Sequence, residues 1–448
     1  MSTKTKQTIL RELGDGLVMR RTTSADAARL ADFNMHIHLS DDTREPDPTI
    51  AGWTRDLLRG NHPTVHPDDF VIVEEPSSDR IVSATCLIDQ TWTYGGIPFG
   101  VGRPELVGTL PEFRRRGLVR QIFQVIHQWS AERGHKMQAI TGIPWYYRQF
   151  GYEMCLTLDG GKFAYVPQNI PLLKKGAHEP YHIRPATEKD LAFITRTADE
   201  AARRDLVSVV RDQAAWRYEL TGRSKASVQA MELRIVETPA GAPLGFLTHT
   251  PRIFFDGIAV SFYELTPGVS WAGVTPSVLR YLQAAGARYA GRQDKSLRNI
   301  FFMLGTEHPV FEAAPQSFAR EQPPYAWYVR IPDLCDFVRL ITPVLDARLA
   351  RSAFAGIDGE YKFNFFASGM RLVLETGRVK AVEPWRPESA TDGDALFPGL
   401  TFLMVLLGHR SANEVKYVFP DAGVSSLPTR ALINALFPRQ ASRPWGIS

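Results

Sequence analysis

Three arginines followed by a glycine, Arg114-Arg115-Arg116-Gly117, stand out in the chain for the chemistry they could do. Arginines offer charge-assisted hydrogen bonds to phosphate oxygens, and glycine lets backbone N–H groups approach a ligand with no Cβ between. What they do depends on what holds them. Upstream, Glu105-Leu106-Val107-Gly108-Thr109 suits a strand, and after Leu110, Pro111 ends it by removing a ladder N–H. Downstream, Leu118, Ile122, Val125, Ile126 and Trp129 fall on one helical face, opposite Arg120, Gln121, Gln124 and Gln128, and Gly134 supplies a stop. A basic glycine turn thus joins a strand to a helix N-terminus, where the first N–H groups lack internal partners and the helix dipole favours an anion. The expected guest is a diphosphate. Arg-Arg-Arg-Gly alone reads as a solvated turn; the flanking strand and helix give it weight.

Glu105 precedes Val107 by two residues, so strand alternation places both on one face and makes Glu105 a candidate base. An ordinary ion-paired glutamate is the alternative. His36 and His38 lie beside Asp41 and Asp42 but lack a third ligand at usable spacing, so no metal site is expected. Phe33, Met35, Trp53 and Trp92 suit a pocket wall, with core packing the default for each.

The elements positioning these residues show an internal echo. Arg20, Thr23 and Asp26 recur at the same spacing as Arg184, Thr187 and Asp190, each set reading as a short strand followed by a helix with a capping box. Polar turn residues from Val166 to Gly176 suit a linker. The apolar-to-turn stretch Tyr328–Asp333 marks a second boundary. Beyond it come a helical pattern from Leu334 to Leu345, strands at Tyr361–Phe366 and Met370–Thr376, and helical segments near Leu400–Leu407 and Thr429–Phe437. The expected organisation is an α+β (mixed α/β) chain of three parts, residues 1–168, 177–330 and 331–448.

The segment around Arg114–Val119 resembles the GCN5-related N-acetyltransferases, whose Arg/Gln-x-x-Gly-x-Gly/Ala loop joins a strand to a helix. Arg114 and Gly117 match that pattern, and Val119 replaces the usual Gly or Ala. Tyr147-Arg148-Gln149-Phe150-Gly151-Tyr152 resembles the family's late tyrosine turn, and Ala139-Ile140-Thr141-Gly142 the strand before it. The resemblance implies acetyl-CoA as co-substrate, held by Val107, Gly108, Thr109, Leu110, Arg114, Arg115, Arg116, Gly117, Leu118, Val119, Arg120 and Gly142. Leu110 and neighbouring N–H groups would then meet the thioester oxygen. It also makes Tyr147 the acid for the departing thiolate, with Tyr146 as the alternative one register away. Tandem domains of this kind, with a sterol-carrier-like third domain, are similar to the enhanced-intracellular-survival acetyltransferases. In that family the terminal carboxylate enters the active site, which would nominate Ser448. The second unit has no basic glycine turn before its helix at Val274–Ala290 and is expected to be structural.

The resemblance implies transfer of acetyl to a primary amine: an aminoglycoside, polyamine, small amine or lysine. The competing reading is a non-catalytic lipid- or peptide-binding carrier with a vestigial fold. A net charge of +4 over 448 residues argues against a nucleic-acid partner. No stretch approaches the roughly 20 apolar residues of a membrane span. Cys86, Cys155 and Cys335 form neither a disulfide framework nor a metal spacing, and no apolar leader follows Met1, so a cytoplasmic protein is expected. Length permits a homo-oligomer, which the resemblance implies.

Overall fold

A computed structural model describes residues 9–40 and 43–445. Ser448, Asp41 and Asp42 lie outside the described residues. The first sheet begins with β1 (Ile9–Glu12), β2 (Val18–Arg21), β3 (Phe70–Glu75), β4 (Arg80–Tyr94), β5 (Ile97–Thr109), β6 (Met137–Ile140) and β7 (Glu153–Leu158). The chain then leaves it for β8 (Gly161–Tyr165) and β9 (His182–Pro185) of a second sheet, while β10 (Val207–Val209) returns to pair with β4. The second sheet continues with β11 (Glu232–Glu237), β12 (Pro243–His249), β13 (Gly257–Leu265), β14 (Asn299–Phe302) and β15 (Arg320–Gln322), and β16 (Tyr325–Arg330) goes back to the first. A third sheet holds β17 (Gly359–Asn364), β18 (Gly369–Glu375), β19 (Arg378–Trp385) and the short β20 (Ala395–Leu396) and β21 (Gly423–Val424). The chain is a mixed α/β protein with two sheets of one topology.

That topology carries a reciprocal exchange. Inside its extra edge strand β1, the first sheet runs β2-β3-β4-β5-β6-β16-β7, and the second runs β9-β11-β12-β13-β14-β8-β15. Position for position these orders match, but the sixth strand of each comes from the neighbouring unit. The segments 1–168 and 177–330 are therefore interlocked: Gly161–Tyr165 sits between β14 and β15, and Tyr325–Arg330 between β6 and β7.

The sequence echo becomes a matched pair of ion clusters. Arg20 pairs with Asp26 at 2.7 Å and with Glu74 of β3 at 2.7 Å. Arg184 pairs with Asp190 at 2.8 Å and with Glu237 of β11 at 2.7 Å. Thr23 and Thr187 each close a capping box with the aspartate three residues on. Each cluster ties two neighbouring strands, β2 and β3 or β9 and β11, to the start of a helix, which explains the shared spacing.

Helices α1 (Ala27–Ile37) and α2 (Pro48–Leu58) cover one face of the first sheet around Phe33, Trp53 and Leu106. Helix α3 (Leu118–Glu132) covers the other with the predicted face of Ile122, Val125, Ile126 and Trp129. The third unit is welded to the first: Trp92, Tyr94 and Phe99 share one apolar core with Phe337, Phe363 and Phe402. The Tyr94 hydroxyl donates to the Leu406 carbonyl at 2.8 Å. Trp92 is thus a core residue, and the apolar repeat from Leu334 to Leu345 becomes two helices, Leu334–Leu340 and Thr342–Ala350, interrupted before Pro343.

The β7–β8 crossing carries a testable strain. Asp159 there adopts φ +55°, and its Oδ1 is buried without a hydrogen bond. Burial lifts its pKa from 3.8 to about 6. Because the folded value lies above the unfolded one, ionisation costs stability above about pH 6, and the cost fades as pH falls toward 4. Asp159→Asn keeps the shape and tolerates the left-handed backbone. Thermal melts of the variant should show a gain of about 1–2 kcal/mol at about pH 7.5, falling to about a third of that at about pH 4.5. A gain equal at both values would show that the carboxyl titrates normally.

Candidate active site

Strands β5 and β6 run parallel but pair only at Val101–Met137 and Gly102–Gln138. Beyond Gly102 they diverge, while β6 stays paired with β16 along its other edge, through Gln138–Arg330, Ala139–Val329 and Ile140–Tyr328. The divergence leaves one backbone edge of β5 open over its last residues. Leu110 donates its N–H to Val82 on the β4 side at 2.9 Å. Since backbone groups alternate along a ladder, the amides of Val107 and Thr109 face the gap. This corrects the expected role of Leu110: its amide is already spent on the sheet and cannot meet a thioester oxygen.

A bulge shapes the same stretch. Cys86 pairs with Glu105 and Ala84 with Gly108, so β5 carries one more residue than β4 over this span. Leu106 takes it up at φ +53°. Glu105 and Val107 consequently do not share a face, contrary to simple alternation: Val107 packs with Tyr147, whereas Glu105 lies opposite Cys86 on the side of α1 and α2. Glu105 forms a 2.7 Å ion pair with Arg103, whose guanidinium lies 4.7 Å from the centre of the Trp327 ring. Burial raises the Glu105 pKa, opposed by Arg103. Gly108 is needed for packing, because a Cβ there would come within 2.7 Å of Ile37 Cγ2. The Thr109 hydroxyl is engaged with Ser83 at 2.8 Å.

The basic turn closes one end of the gap. Gly117 is the N-cap of α3, with φ +74° and no side chain to cap the helix. The N–H groups of the first turn, from Leu118 to Arg120, are therefore open to a ligand. Arg114 donates Nε to the Thr109 carbonyl at 3.2 Å and fixes the turn; Arg116 pairs with Asp15 and lies over Phe113. Arg115 is exposed, at φ +61°. Arg120 donates to Gln149 at 3.0 Å and lies over Phe150, bridging α3 to the tyrosine turn. Half-buried Val119 packs against the same cluster. Gly142, exposed at φ +112°, stands on the opposite lip after β6.

Tyr147 opens a short 3-10 turn, Tyr147–Phe150, and is 2% exposed. It packs with Val107, Phe123, Ile140, Tyr152 and Tyr328, so it lies between the diverging strands. Burial, with Glu105 adding to it, pushes its pKa far above the usual phenol value. Tyr146 is only half-buried and sits edge-on to Tyr147. The Tyr328 hydroxyl accepts from the Trp145 N–H at 2.5 Å, so the exchanged strand β16 fixes the tyrosine turn. Sequence reasoning missed Tyr328, which lies far along the chain. It also missed Arg103, although its place two residues before Glu105 was a readable signal. His36 is exposed and His38 is set against the Leu106 backbone, so the two histidines are not brought together.

The second unit lacks both openings. Strands β13 and β14 stay paired over Gly257–Asn299 to Val260–Phe302, and the Met303 N–H continues the ladder to Val260. Helix α4 (Leu191–Ala202) and the short α5 (Gln213–Arg217) precede α6 (Trp271–Gln293), where the Ser270 hydroxyl accepts from the Gly273 N–H and closes the helix end that Gly117 leaves open.

Residues 27–155 match the model of the acetyltransferase (GNAT) domain. The matched stretch runs from the start of α1 into β7, so it takes in the β5–β6 gap, the Gly117 turn and the Tyr147 turn. Acyl transfer is the general chemistry of that family, and acetyl-CoA its usual donor. A probable N-acyltransferase of Enterococcus faecalis V583 superposes with a TM-score of 0.64 at 13% identity, covering 96% of this chain and 100% of that one. A GCN5-related N-acetyltransferase from Anabaena variabilis gives 0.63 at 12%, covering 96% and 99%. Eis1 from Mycobacterium abscessus gives 0.58 at 14%, again covering 96% and 99%. At such identities the likeness is one of fold, and it extends over the exchanged pair of units and the third. No curated protein matches the sequence. Among the described residues no helix is long and apolar enough to cross a membrane.

Proposed function

We propose that the chain transfers acetyl from acetyl-CoA to a primary amine by direct attack, at the gap between β5 and β6. The observation that carries this reading is the coincidence, in one unit only, of an open strand edge, an uncapped helix N-terminus and a buried tyrosine. The pyrophosphate would rest on the N–H groups of Leu118–Arg120, with Arg115 alongside. The pantetheine amides would pair with the open edge at Val107 and Thr109, as an added strand does. Tyr147, which keeps its proton at neutral pH, would supply it to the departing thiolate. Glu105, on the other face of β5, would receive a proton from the amine side; its raised pKa makes it a stronger base than a surface carboxylate. The acceptor class remains amines as a group: aminoglycoside, polyamine, small amine or lysine. The second and third units act as scaffold, the third resembling a sterol-carrier domain.

Calorimetry with acetyl-CoA tests the site. Wild type should bind, and an Arg115→Ala, Arg116→Ala double variant should bind about 10-fold more weakly or worse, as expected for lost charge-assisted contacts. Absence of binding by wild type would remove the enzyme reading and move the weight to a carrier.

A further inference from the structure

A second cavity lies apart from the β5–β6 gap. About 600 Å³ in volume, it opens where the loop after β14, the β15–β16 turn and the third unit meet. Its floor is apolar, with Pro323, Pro324 and Tyr325 beside Met154. Its walls differ in charge. On the third unit, Arg410 and Arg439 reach one shared acid, Glu414, at 3.9 and 3.5 Å, too far for hydrogen bonds. The positive field there is visible in His409 between them: burial, then Arg410 and Arg439, hold its pKa down to about 4.

The opposite wall is acidic. Glu264 behind it is satisfied by Arg204 at 2.6 Å and Arg443 at 2.7 Å, with His308 at 3.5 Å. Asp205 is left with Arg443 Nε at 3.9 Å, and Glu307 beside it is exposed. Burial lifts the Asp205 carboxyl to about 6 against the pull of Arg443 and Arg204, with Glu264 and Glu307 adding to the rise. Two guanidinium groups and two carboxylates thus line one open space, and among the described residues none of the four has a hydrogen-bonded ion partner of its own at close range. A plain anion would meet the carboxylates and a plain cation the arginines; a molecule bearing both charges satisfies both walls.

We propose that this cavity binds a zwitterionic small molecule of the α-amino acid or short-peptide class, its carboxylate on Arg410 and Arg439 and its ammonium on Asp205 and Glu307. Met154 lines this cavity and also packs in the Tyr147 cluster, so one side chain separates the two sites.

The test is calorimetry on the full chain without acetyl-CoA, using the common free amino acids and glycylglycine as probes. N-acetylglycylglycine and glycylglycinamide each remove one charge. The expected result is binding of at least one zwitterionic probe, with the blocked dipeptides at least about 10-fold weaker than glycylglycine. Arg410→Ala with Arg439→Ala should weaken binding by at least about 10-fold, and Tyr147→Phe should leave it unchanged. Equal binding of either blocked dipeptide would show a plain ion site and overturn the proposal. So would loss of binding in Tyr147→Phe, indifference to the arginine pair, or no heat from any probe at about 10 mM.

Discussion

Tyr147→Phe is expected to lower kcat by about 10²–10³-fold, the range of a lost general acid, while leaving acetyl-CoA affinity within a few-fold. The ring contributes packing to Val107, Phe123 and Ile140, and phenylalanine preserves that packing. Only the hydroxyl is lost, and it is the group that can hold a proton in the gap. Burial keeps that proton on at neutral pH, with the nearby Glu105 carboxylate adding to the effect. Tyr146→Phe is the control, because Tyr146 is half-buried and packs against the rim of the cluster, not within it. Steady-state kinetics and acetyl-CoA calorimetry on both variants settle the assignment. If Tyr147→Phe keeps kcat within about 3-fold, the tyrosine is a packing residue; if Tyr146→Phe falls instead, the register is off by one.

How much of this was legible depended on how local each feature is. The turn at Gly117 and helix α3 could be read because a glycine, a run of arginines and a 3.6-residue apolar repeat are adjacent in sequence. The Arg20 and Arg184 clusters were legible for the same reason, although their third members, Glu74 and Glu237, were not. The bulge at Leu106 went unread: Pro104 and Gly108 flank it, but the pairing of Cys86 with Glu105 and Ala84 with Gly108 creates it. Alternation therefore gave Glu105 the wrong face. The Leu110 amide was misjudged because its partner, Val82, is fixed only once β4 folds beside it. The exchange of β8 and β16 could not be inferred from either strand, since both read as ordinary extended segments and the swap is a property of the closed sheets. Tyr328, delivered by that exchange, was hidden with it.

The second large effect is on folding, and it uses the duplication as its own control. In the first unit Arg20 is 1% exposed, Asp26 3% and Glu74 11%. In the second, Arg184 is 35% exposed, Asp190 10% and Glu237 14%. Removing the cation from a buried pair leaves uncompensated charge in a poor solvent, which costs about 3–5 kcal/mol. Where water reaches the pair, screening discounts the loss to about 1 kcal/mol. Arg20→Met should therefore destabilise by about 3–5 kcal/mol in urea unfolding, reduced where Arg29, 3.1 Å from Glu74, takes over part of the charge. Arg184→Met should cost about 1 kcal/mol. The pH dependence separates this from a packing effect. Burial alone would raise the Asp26 and Glu74 pKa values, but hydrogen bonds from Arg20 outweigh it and hold both below the usual carboxylate range. Their contribution is thus present above about pH 4 and is lost as pH falls through the folded values. The gap between wild type and Arg20→Met should accordingly narrow below about pH 4. Equal losses in the two variants, or a gap independent of pH, would show that the arginines act through their alkyl stems and that the repeated cluster is spacing without electrostatic consequence.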